Sequence, residues 1–118
     1  MKCLCLAYHD NERLNAMSGS ERENFVKECV AYDNELQKNG HFVRLEGLKH
    51  SDTARTIRYQ NGTVSVTDGP YAETKEQIGG ILLLEVNDVN HAVQVMSKHP
   101  GIRIGTFEIR PLEEGTTK

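Results

Sequence analysis

Two stretches of the chain are apolar on both of their alternating sides, and this constrains the fold more than any other feature. In Lys2 to Tyr8, Leu4, Leu6 and Tyr8 form one set and Cys3, Cys5 and Ala7 the other; in Ile81-Leu82-Leu83-Leu84 no position is polar. Successive side chains of a strand point to opposite faces, so each stretch predicts a central strand covered on both sides. The fold must therefore supply two covers.

The rest of the chain supplies helices for one. Ser20-Glu21-Arg22-Glu23 has the spacing of a capping box, in which the serine hydroxyl takes the Glu23 amide and the Glu23 carboxylate returns to the Ser20 amide. It predicts a helix from Ser20, with Phe25, Val26, Cys29, Tyr32 and Leu36 as its inward stripe and Asn39-Gly40 as its stop. Asp88 caps a second helix, Val89 to Lys98, which turns Val89, Ala92, Val93 and Met96 inward and ends at His99-Pro100-Gly101. His41 to Leu48 and Ile102 to Arg110 read as further strands. Thr53 to Tyr59 and Thr63 to Thr67 form a hairpin, because Asn61-Gly62 suits a turn that needs positive φ. His9-Asp10-Asn11-Glu12 is a polar break, and from Pro111 onward the chain reads as a frayed tail. The expected organisation is one domain, residues 1–112, and a tail, 113–118.

The order β, α, β, hairpin, β, α, β predicts an α+β fold, a ferredoxin-like split βαβ with an added β-hairpin. Its two helices cover one sheet face. The other face then needs a second copy of the chain, so the expectation is a homodimer, a dimeric α+β barrel with a cleft beside the open face.

Composition removes several functions. Lys and Arg total 14 against 17 Asp and Glu, a net charge of −3, so there is no basic footprint and no direct nucleic-acid binding is expected. No run of about 18 apolar residues suggests a membrane span, and Met1 to Leu6 lacks a small-residue cleavage site. A cytoplasmic protein with no membrane partner is expected. Cys3, Cys5 and Cys29 lack C-x-x-C spacing and read as buried thiols of a reducing compartment; the histidines show no paired spacing. No metal or cofactor is expected.

Chemistry concentrates in the polar run from Thr67 to Gly80, read as a loop held by strands at both ends. Asp68, before Gly69-Pro70, either shapes a turn through backbone amides or serves as a general acid or base. Glu73 and Lys75 are two apart and able to pair, either as a surface ion pair or as a desolvated pair suited to a small polar or anionic substrate. Tyr71 offers a ring and a hydroxyl, and Gly79-Gly80 a close backbone approach. Tyr8 and His9 end the first strand, and Glu46 ends the second among Val43, Leu45 and Leu48. The candidates are thus Asp68 or Glu46 as base, Lys75 or Tyr8 as acid or oxyanion stabiliser, and Tyr8, Tyr71, Glu73 and His9 as substrate-binding groups.

The run Asp68-Gly69-Pro70-Tyr71-Ala72-Glu73-Thr74-Lys75-Glu76-Gln77-Ile78-Gly79-Gly80 closely resembles the signature of the DGPF proteins, a branch of the YCII-related family. The resemblance also takes in the opening strand, the Ser20 helix, Glu46-Gly47-Leu48, the hairpin and the closing Glu108-Ile109-Arg110-Pro111. It implies a dimeric α+β barrel of ferredoxin-like topology. It implies further that a few relatives are small lyase or dehydrohalogenase-type enzymes, and that the DGPF branch is often encoded beside sigma factors of the extracytoplasmic type. Compact members carry a histidine early in the first helix, proposed to pair with an aspartate in the dimer cleft. Here Cys29 stands at that position and no histidine lies between Ser20 and Asn39, so that mechanism does not carry over and any catalysis falls to the signature loop. Two readings follow: a lyase or isomerase doing acid/base chemistry in the cleft, or a non-catalytic dimer that binds a small ligand or a regulatory partner such as a sigma factor.

Overall fold

The computed structural model describes residues 1–113. The two strands read as double-sided, β1 (Lys2–Asp10) and β5 (Glu76–Glu85), lie at the centre of a four-stranded antiparallel sheet, flanked by β2 (Phe42–Gly47) and β6 (Gly105–Pro111) in the order β2-β5-β1-β6. Two helices, α2 (Gly19–Lys38) and α3 (Val89–Ser97), connect the pairs, and β3 (Arg55–Gln60) and β4 (Thr63–Asp68) form a separate two-stranded hairpin. This is a ferredoxin-like α+β fold with an added hairpin.

One face of the sheet makes the core. Cys3, Cys5 and Ala7 of β1 and Leu82 and Leu84 of β5 are buried with Leu36 of α2 and Ala92 and Met96 of α3. Full burial of side chains the size of Leu84 and Met96 contributes about 1.5–3 kcal/mol each. On the opposite face Leu4, Leu6, Ile81 and Leu83 are half-buried. Arg44–Glu46 on β2 and Arg110–Glu108 on β6 pair at 2.6 Å along the two edges of the sheet. The chain extends 48 × 44 × 18 Å with a radius of gyration of 16.4 Å, against about 13.5 Å for a compact chain of this length.

Several local expectations are corrected. The capping box forms at Ser18, not Ser20: Ser18 Oγ accepts from Glu21 N–H at 3.2 Å and Glu21 Oε1 accepts from Ser18 N–H at 3.1 Å. The same S-x-x-E spacing fits both serines, and the earlier box extends the helix by a residue at its start. Val26 and Val93 are about half exposed, at 51% and 47%, because the inward arc of each helix is narrower than its apolar content. A short helix, α1 (Asn11–Asn15), occupies the polar break, with the Asp10 carboxylate accepting from Glu12 N–H at its start. Ile102 and Ile104 belong to a 3-10 turn, Pro100–Ile104, and not to the last strand; Pro100 at its start pre-sets the helical φ. Pro111 closes β6 and Leu112 N–H donates to Lys2 O at 3.0 Å, so the chain is still tied down where a tail was expected; the tail beyond residue 113 lies outside the described residues.

The hairpin turn is as read, with Asn61 and Gly62 at φ 52° and 80°. Its alternation puts Ile57, Tyr59, Val64 and Val66 on one face, each between 62% and 75% exposed. Among the described residues no helix is long and apolar enough to cross a membrane.

Candidate functional site

β5 begins at Glu76, five residues earlier than its apolar run, so the signature loop shrinks to residues 69–75. In the β1–β5 register Tyr8 lies opposite Ile78 and Asp10 opposite Glu76. Paired residues share a face, so alternation gathers Tyr8, Asp10, Glu76 and Ile78 at one end of the open face. There the sheet, the 3-10 turn at Ser51–Thr53, β3 and the loop after β4 border a cavity of about 720 Å³, walled among others by Tyr8, Ile57, Tyr71, Glu76 and Ile78.

Glu76 is the unusual group in this wall. Its Oε1 is buried with no hydrogen-bond partner, and no other side-chain atom among the described residues shares that state. Buried polar atoms are nearly always paired, so a cavity-lining carboxylate with one oxygen buried and unpaired is an exception that marks Glu76 as the candidate to accept a donor or a proton. Asp10 next to it is 3% exposed but well served. Its Oδ1 accepts from Glu12 N–H at 3.0 Å, and its Oδ2 lies 3.6 Å from both Arg13 Nε and Lys75 Nζ. Tyr8 Oη donates to Glu108 Oε1 across a long 3.5 Å. Lys49, His50 and Arg55 add cationic or donor groups to the cavity wall. A carboxylate acceptor and a phenolic hydroxyl on one face, with basic groups nearby, can move a proton and hold a developing oxyanion.

Of the candidates read from sequence, Tyr8 and Tyr71 line this cavity, Asp68, Glu46, Lys75, Glu73 and His9 do not, and the set is not joined in one cluster. Asp68 is 87% exposed at its side chain and pairs with Arg55 at 3.1 Å across the hairpin. Glu46 sits on the edge strand β2, paired with Arg44. Lys75 is 69% exposed and meets Asp10 instead of Glu73. Among the described residues no hydrogen bond or ion pair links Asp68, Glu46 and Lys75 to one another. Glu73 is exposed. Tyr71 lines the cavity yet is 81% exposed, with the Arg58 guanidinium 5.6 Å from its ring centre. Tyr8 lines it from the sheet. Sequence reading missed Glu76 and Asp10. Counting the two-residue period back from Ile78 would have placed Glu76 on the same face, but the polar content of residues 76–80 reads as loop.

His9 faces the other side of the sheet. A second cavity, about 220 Å³, lies there between β1, α2 and the 3-10 turn, with Phe25, Leu82, Ile104 and Phe107 in its wall. Asp33 of α2 meets His99 in it: His99 Nε2 lies 2.7 Å from Asp33 Oδ1, and His99 Nδ1 accepts from Gly101 N–H at 2.9 Å. Since Nδ1 accepts, the ring proton is on Nε2 and is donated to Asp33. The helix thus contributes an aspartate, and its histidine partner comes from the start of the 3-10 turn. The His9 ring packs on Gly79, where a Cβ would collide with it. Gly79 is the extra residue of a bulge, because Ala7 pairs with Gly80 and Tyr8 with Ile78. Burial, and then the nearby His99, hold the His9 imidazole below its usual pKa. Burial likewise pushes the Cys29 thiol up to about 11 and the Cys5 thiol to about 12. A third cavity of about 180 Å³ shares His9 and Gly79 with the helix-side cavity, and Leu48, His50, Gln77 and Ile78 with the hairpin cavity. Among the described residues no group of three or more His, Cys, Asp or Glu is placed to hold a metal ion.

The family model described as the YCII-related domain matches residues 1–115. The chain belongs to the YCII-related family. An uncharacterised protein of Rhizobium meliloti (strain 1021) is similar to this YCII-related chain, 30% identical over 111 residues, which cover 91% of the chain and 88% of that protein. In this YCII-related domain the polar groups of interest lie on both sides of the sheet and at the same end of it, where β1 finishes and β5 begins.

Proposed function

We propose that the protein is a cytoplasmic homodimer of the DGPF branch that carries out acid/base chemistry of the lyase or isomerase type on a small molecule held in the hairpin cavity. Glu76 is the proton acceptor, Tyr8 the hydroxyl that steadies the developing oxyanion, and Lys49 and Arg55 the groups that attract a polar or anionic substrate. The observation that carries this reading is the buried, unpartnered Oε1 of Glu76 in the wall of a cavity large enough for a small metabolite. The half-buried apolar centre of the open face, with an Arg–Glu pair along each edge, supports the homodimer, since a second sheet would cover it. Asp68, Glu46 and Lys75 then shape or neutralise the surroundings and do not transfer the proton.

The test is a thermal-shift screen of small hydroxylated and halogenated acids, followed by NMR of each hit in deuterated water. Wild type exchanges a carbon-bound proton of a true substrate, and Glu76→Gln slows that exchange by about 10²–10⁴-fold, while Asp68→Asn and Glu46→Gln stay within a few-fold. Equal exchange by wild type and Glu76→Gln would sink the reading. The exposed apolar hairpin face favours a second one, a non-catalytic dimer that presents Ile57, Tyr59, Val64 and Val66 to a regulatory protein such as a sigma factor. Binding of such a partner with no exchange in any hit would establish it.

A further inference from the structure

We propose that the hairpin of β3 and β4 is an arm that lies across the open sheet face of a second copy of this chain, so that two copies exchange arms. This rests on the homodimer of the preceding reading and not on its acid/base chemistry. The hairpin is turned the wrong way for a chain that stays alone. Its apolar set, Ile57, Tyr59, Val64 and Val66, is 62–75% exposed, whereas Thr56, Arg58 and Ser65 on its polar face are half-buried. Two bonds to the signature loop hold it so: Thr56 Oγ1 donates to Gly69 O at 2.8 Å and Arg58 Nη2 to Tyr71 O at 3.1 Å. The arm does not fold back over its own sheet either. The chain is 18 Å deep along its thinnest axis, which holds the sheet and its helices and leaves no room for a third layer about 10 Å further out.

Arm and open face match in size and kind. The open face presents two cross-strand pairs, Leu4 with Leu83 and Leu6 with Ile81; the arm presents two, Ile57 with Val66 and Tyr59 with Val64. Each patch is two strands wide and two same-face positions long, so one lies on the other as sheet packs on sheet. A two-fold axis makes this contact twice, with each copy giving one arm and one open face. The area needs both. A stable dimer buries about 800 Å² on each partner, more than four hairpin side chains offer but the scale of an arm and an open face together. Charge does not oppose the contact, because Arg44–Glu46, Arg110–Glu108 and Arg55–Asp68 around the two patches are each paired within the chain. An arm in this position also reaches Tyr8 and Ile78, the next residues of the same face. The partner's arm therefore roofs the cavity that Glu76 lines, and that cavity is complete only in the dimer.

The experiment cross-links thiols placed on the two patches of the full chain, Val64→Cys on the arm and Leu83→Cys on the open face, co-expressed with different affinity tags. Each variant is first shown to keep the circular dichroism of the wild type, whose own cysteines set the background. A short bismaleimide should join the two variants into a covalent heterodimer on a denaturing gel. Ser65→Cys, on the polar face of the arm, should not join to Leu83→Cys. Links between two Val64→Cys chains but not in the mixture would mean arm on arm, and links between two Leu83→Cys chains alone would mean open face on open face. Either result would overturn the exchange while leaving the homodimer standing; a monomeric sedimentation profile of the wild type would overturn both. A link from Val64→Cys to a different protein in whole cells, with none to Leu83→Cys, would assign the arm to another partner and also overturn it. Tyr59→Ser gives a check free of added thiols: it should raise the dissociation constant of the dimer about tenfold or more, and an unchanged constant would count against the arm.

Discussion

The two faces of the central strands carry side chains of the same kind and end in different states. On the helix side Cys3, Cys5 and Leu84 have no exposed surface. On the open side Leu4, Leu6, Ile81 and Leu83, their immediate neighbours in sequence, remain half-buried. Composition does not separate the two sets; the cover does. The comparison teaches that apolar content on both sides of a strand does not by itself bury both sides, and that the chain's own helices cover one of them.

Three measurements test this contrast, the first with the largest effect. Leu84→Ala opens a cavity in the closed face and should lower the free energy of unfolding in urea by about 2–5 kcal/mol, whereas Leu83→Ala at low protein concentration should cost less than half as much. Equal losses would mean that the open face is already as tightly packed as the core. Leu83→Lys is expected next to convert a dimeric sedimentation profile to a monomeric one and to remove the dependence of Tm on concentration; an unchanged profile would leave the open face without a sheet-to-sheet partner. The smallest effect concerns His9, at the seam between the faces. Its pKa is held below the ordinary 6.5 in the folded protein, so the unfolded chain takes up its proton first as pH falls. The stability that His9 contributes is therefore present above about pH 6.5 and lost as the pH drops through the folded value. His9→Gln should flatten the fall in stability between neutral and mildly acidic pH, and an unaltered slope would show that its ring is as well hydrated folded as unfolded.

Much of the fold was readable because its determinants are local or periodic: the two-sided strands, the Asn61-Gly62 turn and the Asp88 cap each lie within a few residues. The Ser18 start of α2 was not separable from Ser20, since both present the same S-x-x-E spacing. The 3-10 turn at Pro100 was hidden by isoleucines that alternate as a strand would. The candidate site was legible only in part. The signature run does border the large cavity, but its most conspicuous charges, Asp68 and Lys75, are taken up by Arg55 and Asp10. Glu76 matters because its oxygen is buried without a partner, and His99 because it meets Asp33 across 66 positions of the chain. Neither fact is a property of nearby sequence; both come from packing.

The glycine pair at the end of the signature run can now be read letter by letter. At Gly80 an added methyl would meet the Glu46 carbonyl at 3.4 Å, an ordinary contact, so an alanine fits with little adjustment. At Gly79 the same methyl would run into the His9 imidazole and drive it out of the seam between the cavities. Two identical letters thus encode unlike rules, one a mild preference set by a neighbouring strand and the other a prohibition set by a side chain, and a substitution library at these two positions should accept alanine at one and reject it at the other.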